Sequence, residues 1–420
     1  MARLGMALAT ALIALSGLGA QAAELRVTCY SDGNECDVLR DLSAQYTAAH
    51  PATAIKVDQV PYKAILESLP VQLAAGNGPD IARVTDFGSI AQHLLDLRPL
   101  LPDPAYWEAN FGPTLAWMRP NATDKGIYGV MSQLTVTGPY VNASLFEQAG
   151  VPVPGAGATW DDWAAAAQRV AKATKTPHGM AWDRSGHRFG GPAVSYGAAY
   201  FAPDGKPAVV DPGFKAAASR FVGWNKDGTV MPDVWAAAGG GYRDAFEEFA
   251  NGRVAVYLSG SWQLSRMQQQ IGDAFEWQAV PNPCGPAACS GMPGGAAYVA
   301  LKATKNPKEV ADFLDYLASA PVHGRMMART VNISAHAGLR AQRVAYELSP
   351  AATAAMRVFT ASAEALAPAA YRLQGYRYNR VLFDATADRL SQAIAGQITL
   401  DQAYDRITSD VAARLAAAQR

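Results

Sequence analysis

The sequence predicts an α/β fold that contains a parallel sheet and is organised as two domains. Segments typical of strands and helices alternate in a β-α-β-α-β order over residues 25–84. This order favours parallel strands with helices packed on their faces. The chain has 420 residues, and half of them are hydrophobic. One hydrophobic core usually stops growing before a chain reaches this length, so two domains are expected.

The first strand is predicted over residues 25–30, and a polar turn follows it at residues 31–34. Residues 35–50 have the apolar spacing of a helix with one buried face. Pro51 should end this helix, because a proline ring clashes with the preceding helical turn and has no N–H to donate. A strand, a turn and a helix in this order form the first half of a β-α-β unit.

The second strand is predicted over residues 55–60, where apolar and polar side chains alternate. An amphipathic helix over residues 64–75 follows it and ends at the Gly-Asn-Gly turn of residues 76–78. The third strand is predicted over residues 80–84. Because the three strands are parallel, the loops that leave them should lie along one edge of the sheet.

Later segments continue the alternation of helices and strands. Thr159 is the predicted N-cap of a helix that runs to about residue 174, with Asp161 and Asp162 in its first turn. Residues 281–295 are rich in proline and glycine, which indicates a long loop or a crossing between domains. The other predicted elements are a helix over residues 242–251, a buried strand over 254–258, a helix over 307–318 and helical sequence from about 378 onward.

The N-terminal residues have the pattern of a secretory signal. Arg3 gives a positive start, residues 4–18 form an apolar run, and Ala20 and Ala22 offer the small-x-small cleavage pattern. A membrane anchor is the alternative, but the run is shorter than the about 20 apolar residues that a spanning helix needs. We therefore expect a signal peptide over residues 1–23 and export of the mature chain.

The charge balance and histidine content exclude several classes of partner. Lysine plus arginine and aspartate plus glutamate both number 36, and the sequence has no basic run. Nucleic acid and anionic membrane surfaces are therefore disfavoured as partners. The six histidines are scattered singly along the sequence. We accordingly expect neither a metal site nor a cofactor.

The four cysteines form two close pairs in the sequence. Cys29 and Cys36 are seven residues apart, and Cys284 and Cys289 are five residues apart. In an exported chain, an even number of locally paired cysteines predicts disulfides, so we expect Cys29–Cys36 and Cys284–Cys289 bonds. A four-cysteine metal site is the alternative, but neither pair has the two-residue spacing that zinc sites favour.

The sequence lacks the common catalytic signatures. It contains no Gly-x-Ser-x-Gly, no His-Glu-x-x-His and no P-loop. The adjacent carboxylates of Asp161 and Asp162 are explained by their place in the first turn of a helix. A structural or adhesion protein is also disfavoured, because no repeats are found. A binding protein is therefore favoured over a secreted enzyme.

Several ordered segments carry a resemblance to a known family. They are residues 76–80 (GNGPD), 126–130 (GIYGV), 140–142 (YVN), 145–150 (LFEQAG), 158–162 (ATWDD), 246–253 (FEEFANGR), 259–262 (SGSW), and Ala395-Gly396 with Ala403. Together and in this order they resemble the periplasmic solute-binding proteins of ABC importers, the family that includes the maltodextrin- and glycerol-3-phosphate-binding proteins. The resemblance spans nearly the whole chain after the signal.

The resemblance implies a type II periplasmic-binding-protein fold, with two Rossmann-like lobes joined by a hinge of crossing segments. It also implies a monomer that binds a sugar or sugar derivative in the cleft between the lobes and delivers it to the transmembrane subunits of an ABC permease. The expected lobes are residues 24–134 plus 292–337 and residues 135–291 plus 338–420. The expected crossings lie near residues 133–137, 291–297 and 335–339.

A sugar presents hydroxyl groups and C–H faces, so its site needs planar polar side chains and aromatic rings. In α/β proteins such side chains follow the carboxyl ends of strands. Asp86 matches the acid that holds a sugar hydroxyl in the maltodextrin-binding proteins, and its alternative role is the N-cap of a helix that begins near Gly88. The candidates in the loops after the first three strands are Asp32, Asn34, Glu35, Tyr62, Thr85 and Asp86.

Further candidates lie in the crossing segments and the second lobe. Trp262 follows a buried strand and a glycine-containing turn, and it matches the tryptophan on which sugar rings stack in the family. Gly294 and Gly295 have no side chain, so their backbone N–H groups could approach a ligand closely. Their alternative role is flexibility of the hinge. The arginines leave open an anionic sugar. These candidates are Gln133, Thr135, His187, Arg188, Trp262, Gly294, Gly295, Arg377 and Tyr378.

Overall fold

The computed structural model describes residues 23–418 except residues 122, 238, 239, 343 and 347. The predicted signal peptide therefore lies almost wholly outside the described residues. Within the described part of the chain, no helix combines the length and apolar character that crossing a membrane requires. The strands are β1 Ala23–Cys29, β2 Thr53–Gln59, β3 Ile81–Val84, β4 Gly129–Asn142, β5 His178–Trp182, β6 Val254–Gly260, β7 Trp277–Ala279 and β8 Pro293–Ala300.

The helices pack on both faces of the sheet that these strands form. Short 3-10 turns add Ala91–His93 and Ser261–Gln263, and Met267–Ile271 forms a wider π-type turn. The helices are α1 Glu35–Ala49, α2 Tyr62–Ala74, α3 Pro104–Met118, α4 Ala143–Ala149, α5 Trp160–Thr174, α6 Gly186–Ser195, α7 Pro212–Lys226, α8 Asp233–Ala236, α9 Phe246–Ala250, α10 Leu264–Arg266, α11 Pro307–Ala318, α12 Ala320–Thr330, α13 Ala337–Gln342, α14 Pro350–Glu364, α15 Pro368–Gln374, α16 Asn379–Ile394 and α17 Leu400–Ala418.

The strands of the described chain join in the order β2-β1-β3-β8-β4-β6-β5, with β7 also paired to β4. β1 is parallel to β2 and to β3, which confirms the parallel arrangement predicted from the N-terminal alternation. No strand was predicted over residues 293–300, where β8 forms; it runs antiparallel to both β3 and β4. On the far side, β5 and β6 are again parallel.

The long strand β4 links the two ends of the sheet. Its first half pairs with β8 from Gly129 to Val136, and its second half pairs with β6 from Thr137 to Val141. The register shifts between Met131 and Gln133, where the strand is irregular. The described residues form two large hydrophobic clusters on either side of this link. One draws on residues 25–131 and 296–335, and the other draws on residues 136–292 and 331–415.

The start of α5 forms as predicted. The Thr159 side chain accepts a hydrogen bond from the backbone N–H of Asp162, and the Asp162 carboxylate accepts the backbone N–H of Thr159 at 2.9 Å. This reciprocal pair is a capping box, which satisfies two N–H groups that would otherwise lack partners. The helix predicted over residues 307–318 is confirmed with the same bounds.

One predicted helix is shorter than expected and another does not form. The helix predicted over residues 242–251 is helical only at Phe246–Ala250, because Arg243 pairs with Arg184 as an isolated bridge and the N–H of Ala245 is bound to Asp183 at 3.0 Å. No α-helix begins near Gly88; the chain makes only the 3-10 turn Ala91–His93 before Leu94 pairs with Leu301 in extended form.

Both predicted disulfides are present, and together they use all four cysteines. The Cys29–Cys36 bond ties the end of β1 to the start of α1 and closes the loop that carries Asp32. The Cys284–Cys289 bond closes a loop before β8. The loop predicted over residues 281–295 ends at Pro293, where β8 begins and pairs with β4.

Candidate functional site

A polar cavity, called here the central cavity, lies between the carboxyl ends of β1, β2 and β3 and those of β5 and β6. The shared strands β4 and β8 form its floor. Eleven of the nominated residues line it, and they come from every one of these elements. They are Asp32, Tyr62, Thr85, Asp86, Gln133, Thr135, His187, Arg188, Trp262, Gly294 and Gly295.

Asn34 and Glu35 were nominated with the loop after β1, but neither lines the central cavity. The Asn34 amide donates to the backbone oxygen of Arg329 at 3.0 Å, so it is directed toward α12. The Glu35 carboxylate accepts the backbone N–H groups of Asp32 and Gly33 at 3.0 and 2.9 Å. Glu35 therefore holds the conformation of the loop, and Asp32 on that loop lines the cavity.

Arg377 and Tyr378 also lie outside the lining of the cavity. The Arg377 side chain is exposed, and its backbone oxygen packs so closely on Gly88 that an added Cβ there would lie 1.8 Å from it. The Tyr378 ring packs against Tyr376 with their centroids 5.9 Å apart. The side chains of this region that line the cavity are instead Gln374 at the end of α15 and Asn379, Arg380 and Phe383 in α16.

Seven lining residues were missed by the sequence analysis. Three of them lie on one face of α16, at positions i, i+1 and i+4. The sequence predicted this helix, but it did not indicate which of its faces lines the cavity. Tyr242 was missed because its segment was predicted as a helix. The missed residues are Tyr30, Ser185, Tyr242, Gln374, Asn379, Arg380 and Phe383.

Arg83 organises the floor of the cavity on the β1–β3 side. Its side chain is fully buried, and it donates to the backbone oxygen of Tyr30 and to the Gln133 amide oxygen, both at 2.8 Å. Its guanidinium carbon lies 4.0 Å from the centroid of the Tyr30 ring. The carboxylates of Asp32 and Glu35 each approach it to 3.8 Å. The buried positive charge is therefore balanced while it holds Gln133 in the cavity.

Asp32 has an altered acidity in this setting. Burial is the largest cause that raises its pKa, to about 7, and the neighbouring Glu35 carboxylate adds to the rise. The positive charges of Arg83 and Arg188 oppose the rise without cancelling it. Asp32 can therefore present either a carboxylate or a protonated carboxyl group to a ligand near neutral pH.

Asp183 holds together the opposite wall, which follows β5 and β6. It is fully buried, and it accepts hydrogen bonds from the Ser259 hydroxyl at 2.6 Å and the Tyr257 hydroxyl at 2.8 Å. The Tyr242 hydroxyl donates to it at 3.3 Å, and Arg188 Nε lies 3.6 Å away. Burial raises the pKa of Asp183, and Arg188 partly counters that rise. The Asp183 carboxylate thus positions two side chains that line the cavity, Tyr242 and Arg188.

His187 is neutral and has one defined tautomer. Its pKa is lowered to about 3, mainly by burial and also by the adjacent Arg188 charge. Its Nε2 lies 2.9 Å from the backbone oxygen of Pro293, which can only accept, so Nε2 carries the proton. Its Nδ1 then accepts from Arg188 at 3.2 Å. His187 thereby orients Arg188 relative to strand β8.

The two walls meet at aromatic side chains. The Tyr62 hydroxyl lies 2.8 Å from the Thr85 hydroxyl, and its ring centroid is 4.7 Å from that of Tyr30. From the opposite wall, the Tyr242 ring meets Tyr62 edge to face with centroids 5.2 Å apart. Edge-to-face contacts of this kind are favourable. The cavity is therefore closed on the side where these two tyrosines touch.

The charged groups that line the described cavity balance one another. Asp32 and Asp86 supply carboxylates from one side, while Arg188 and Arg380 supply guanidinium groups from the other. Arg380 Nε also donates to Asp384 at 2.8 Å behind the lining. Because His187 is neutral, the lining offers hydrogen-bond donors and acceptors without a large excess of either charge.

Solved structures that superpose on this chain define its fold. Maltose-bound MalE3 from T. maritima superposes with a TM-score of 0.77 at 19% sequence identity, over 93% of this chain and 99% of that one. An ABC substrate-binding protein from Listeria monocytogenes in complex with cycloalternan gives a TM-score of 0.76 at 16% identity, over 94% and 99% of the two chains. The fold is that of the type II periplasmic binding proteins, which confirms the predicted fold class.

Residues 37–323 match the bacterial extracellular solute-binding protein family, and the chain belongs to this family. A lactose-binding protein of Rhizobium radiobacter is 27% identical over 318 residues, which cover 73% of each chain. An arabinooligosaccharide-binding protein of Bacillus subtilis is 26% identical over 290 residues, or 66% of this chain and 65% of the other. The family that the ordered motifs predicted is therefore confirmed.

Proposed function

We propose that this protein binds a sugar or a sugar derivative in the central cavity and delivers it to an ABC permease. The observation that carries the proposal is the mixture of aromatic rings, carboxylates and guanidinium groups in one cavity. Sugar hydroxyls can donate to the carboxylates and accept from the arginines, while C–H faces contact aromatic rings. The names of the lactose-binding and arabinooligosaccharide-binding relatives support the same ligand class.

The floor of the cavity supports close approach of a ligand to the backbone. A Cβ added to Gly294 would lie 2.8 Å from the Thr135 hydroxyl, and one added to Gly295 would lie 2.5 Å from the Gln133 backbone oxygen. Any larger residue would displace these neighbours. The glycines thus keep β8 close to β4 and leave the β8 part of the floor free of side chains.

The balanced charge of the lining favours a neutral sugar over an anionic one. Each guanidinium that lines the cavity has a carboxylate within 3.6 Å, namely Asp183 for Arg188 and Asp384 for Arg380. A phosphate or carboxylate on the ligand would compete with these groups and would face Asp32 and Asp86 directly. Removing the water around such an anion is costly unless it gains a cation of its own.

We propose that the two hydrophobic clusters are the cores of two lobes, residues 24–134 plus 292–337 and residues 135–291 plus 338–420. The strands β4 and β8 pass between them. The third proposed crossing, near residues 335–339, follows Ile333, which pairs with Leu134 of β4. A ligand that touches both lobes binds the closed arrangement better than an open one, and it therefore shifts the population toward closure.

In the cell, we propose that the protein is an exported periplasmic monomer that carries its ligand without a metal or cofactor and without chemical turnover. The extracellular solute-binding family supports the location and the binding role. A secreted carbohydrate-active enzyme is the alternative, and incubation of the purified protein with glycosides distinguishes the two. Release of reducing ends would contradict a pure binding role.

The test of ligand class is a thermal-shift screen of neutral sugars, anionic sugars, amino acids and peptides, followed by calorimetry on each hit. We expect a neutral sugar to raise the melting temperature most. Small-angle scattering with and without that sugar should show a smaller radius of gyration in its presence. Stabilisation by amino acids or peptides alone would overturn the proposal.

A further inference from the structure

Tyr242 lies at the junction of three spaces in the protein. It lines the central cavity, and it also lines a pocket beside Arg184 and Glu67 and a larger pocket beside Lys63 and Arg266. We call these the Arg184 pocket and the Arg266 pocket. Their volumes are about 210 and 470 Å³, compared with about 90 Å³ for the central cavity.

The position of the Tyr242 ring is fixed from two sides. Behind it, its hydroxyl donates to the buried Asp183, which is itself held by the Ser259 hydroxyl. In front of it, the ring meets the edge of Tyr62 from the opposite wall. The Arg188 guanidinium carbon lies 5.4 Å from its centroid. A side chain held by this many contacts acts as a wall and not as a mobile flap.

The same two tyrosines separate the central cavity from the Arg266 pocket. Tyr62, Tyr242 and Asp32 line both spaces, so they form the partition between them. A saccharide that extends beyond the central cavity in this direction has to pass where the two rings touch. The outer pocket carries the polar side chains of Lys63, Arg266 and Gln263, which are suited to hydroxyl groups.

We propose that Tyr242 limits the length of the ligand, because its ring ends the central cavity on the side of the Arg266 pocket. This inference rests on the proposed sugar-binding function and adds a limit on ligand size to it. Removal of the Tyr242 ring joins the central cavity to the Arg266 and Arg184 pockets, and a longer saccharide then fits. The residue is a determinant of specificity through its shape, because the ring blocks the path that a further sugar unit would take.

The test uses calorimetry on wild-type protein and on Tyr242→Ala with matched series of ligands. Each series consists of a neutral monosaccharide with its linear disaccharide and trisaccharide. We expect the wild type to bind the monosaccharide at least about tenfold more tightly than the trisaccharide. We expect Tyr242→Ala to lower that ratio at least about tenfold. Tyr242→Phe keeps the ring and should keep the ratio, as should Tyr371→Ala, which removes an exposed tyrosine outside the cavity.

Wild-type protein that binds the trisaccharide as tightly as the monosaccharide would overturn the length limit while leaving sugar binding intact. This comparison uses wild-type protein alone, so it tests the length limit even where Tyr242→Ala does not fold. A folded Tyr242→Ala protein with an unchanged ratio would equally overturn the role of the ring. Binding of no saccharide of any length would instead overturn the proposed function, and the length limit with it.

Discussion

The guanidinium carbon of Arg188 lies 4.1 Å from the centroid of the Trp262 ring. A cation in this position is attracted by the electron-rich face of the indole. One face of Trp262 is therefore covered by protein, whereas the family resemblance implied a ring on which a sugar stacks. Only 6% of the Trp262 surface is exposed, and its ring edge packs against Gly260. Trp262 and Arg188 consequently act as one unit in the cavity wall.

Replacement of Trp262 by alanine should lower both ligand affinity and stability. We expect affinity to fall about 30- to 1000-fold, which corresponds to about 2–4 kcal/mol for loss of an aromatic anchor. The melting temperature of the unliganded protein should also fall, because the residue is almost wholly buried and large-to-small changes in such positions cost about 3–5 kcal/mol. Calorimetry and a thermal melt on the same variant measure the two effects.

A second variant separates the ring of Trp262 from its N–H group. The indole nitrogen is buried and has no hydrogen-bond partner among the described residues. Trp262→Phe retains an aromatic ring beneath Arg188 and should therefore retain most of the stability. Trp262→Ala that melts far lower yet binds normally when folded would show that the residue serves the fold alone.

Asp32 should make the unfolding free energy fall as pH rises from about 4 to about 7. Its pKa is raised to about 7 in the folded state from its ordinary value near 3.8, so the folded state binds more protons than the unfolded state in this window. The contribution is fully present below about pH 4 and is lost above about pH 7. Asp32→Asn should thus increase the slope of stability against pH by up to about 1.4 kcal/mol per pH unit.

Urea unfolding of wild type and Asp32→Asn at several pH values between 4 and 8 measures this slope. Asp58→Asn is a suitable control, because Asp58 is a partly exposed carboxylate on β2 outside the cavity. Parallel curves for wild type and Asp32→Asn would contradict the raised pKa.

The N-terminal part of the fold was predictable because its signals are local. Parallel β1, β2 and β3 follow from hydrophobic spacing and turn residues, and the α5 capping box follows from Thr159 and Asp162 alone. The place of β8 between β3 and β4 was not predictable in this way, since it depends on pairing across more than 150 residues of sequence. Spacing within one segment carries no information about such a partner.

The candidate site likewise contains residues that local sequence signals predicted and residues that depend on long-range contacts. Asp32, Thr85 and Trp262 were found because they follow strands, and strand ends were readable from the sequence. Tyr242 and Arg380 were missed because they enter the cavity from segments whose position depends on tertiary contacts, such as the bridge between Arg184 and Arg243. The cover of Arg188 over Trp262 was also beyond a sequence argument, because 74 residues of chain separate the two.

His323 should have the opposite effect on pH dependence from Asp32. It is fully buried among Phe111, His336 and the residues around them, with ring centroids 5.3 and 6.0 Å apart. Burial lowers its pKa to about 3 from the ordinary 6.5, and nearby His336 contributes to the lowering. The unfolded state therefore binds more protons between about pH 3 and 6.5, and this part of the stability is lost as pH falls through that window.

His323→Leu should remove this dependence and flatten the loss of stability below pH 6.5. The slope should decrease by up to about 1.4 kcal/mol per pH unit relative to wild type. Urea unfolding at pH 4.5, 5.5 and 7.5 measures it, and ligand affinity of the variant at pH 7.5 should be unchanged because His323 is outside the cavity lining. A variant that loses stability below pH 6.5 as steeply as wild type would contradict a neutral buried His323.

The Cys29–Cys36 disulfide should matter for binding as well as for stability. It closes a short loop, for which loop-entropy arguments give about 2 kcal/mol of stabilisation. The same loop presents Asp32 to the cavity, held by the Glu35 carboxylate at its backbone N–H groups. We expect the double variant Cys29→Ser and Cys36→Ser to lose about 2 kcal/mol of unfolding free energy and also to bind ligand more weakly, because the Asp32 loop gains freedom that binding must then remove.

The matched control is the double variant Cys284→Ser and Cys289→Ser, which opens a loop of similar length outside the cavity lining. It should lose a comparable amount of stability while ligand affinity stays the same. Mass spectrometry of the wild-type protein alkylated without reductant should first show no modified cysteine. If both double variants bind ligand equally well, the Cys29–Cys36 bond serves only stability and Asp32 does not depend on it for its position.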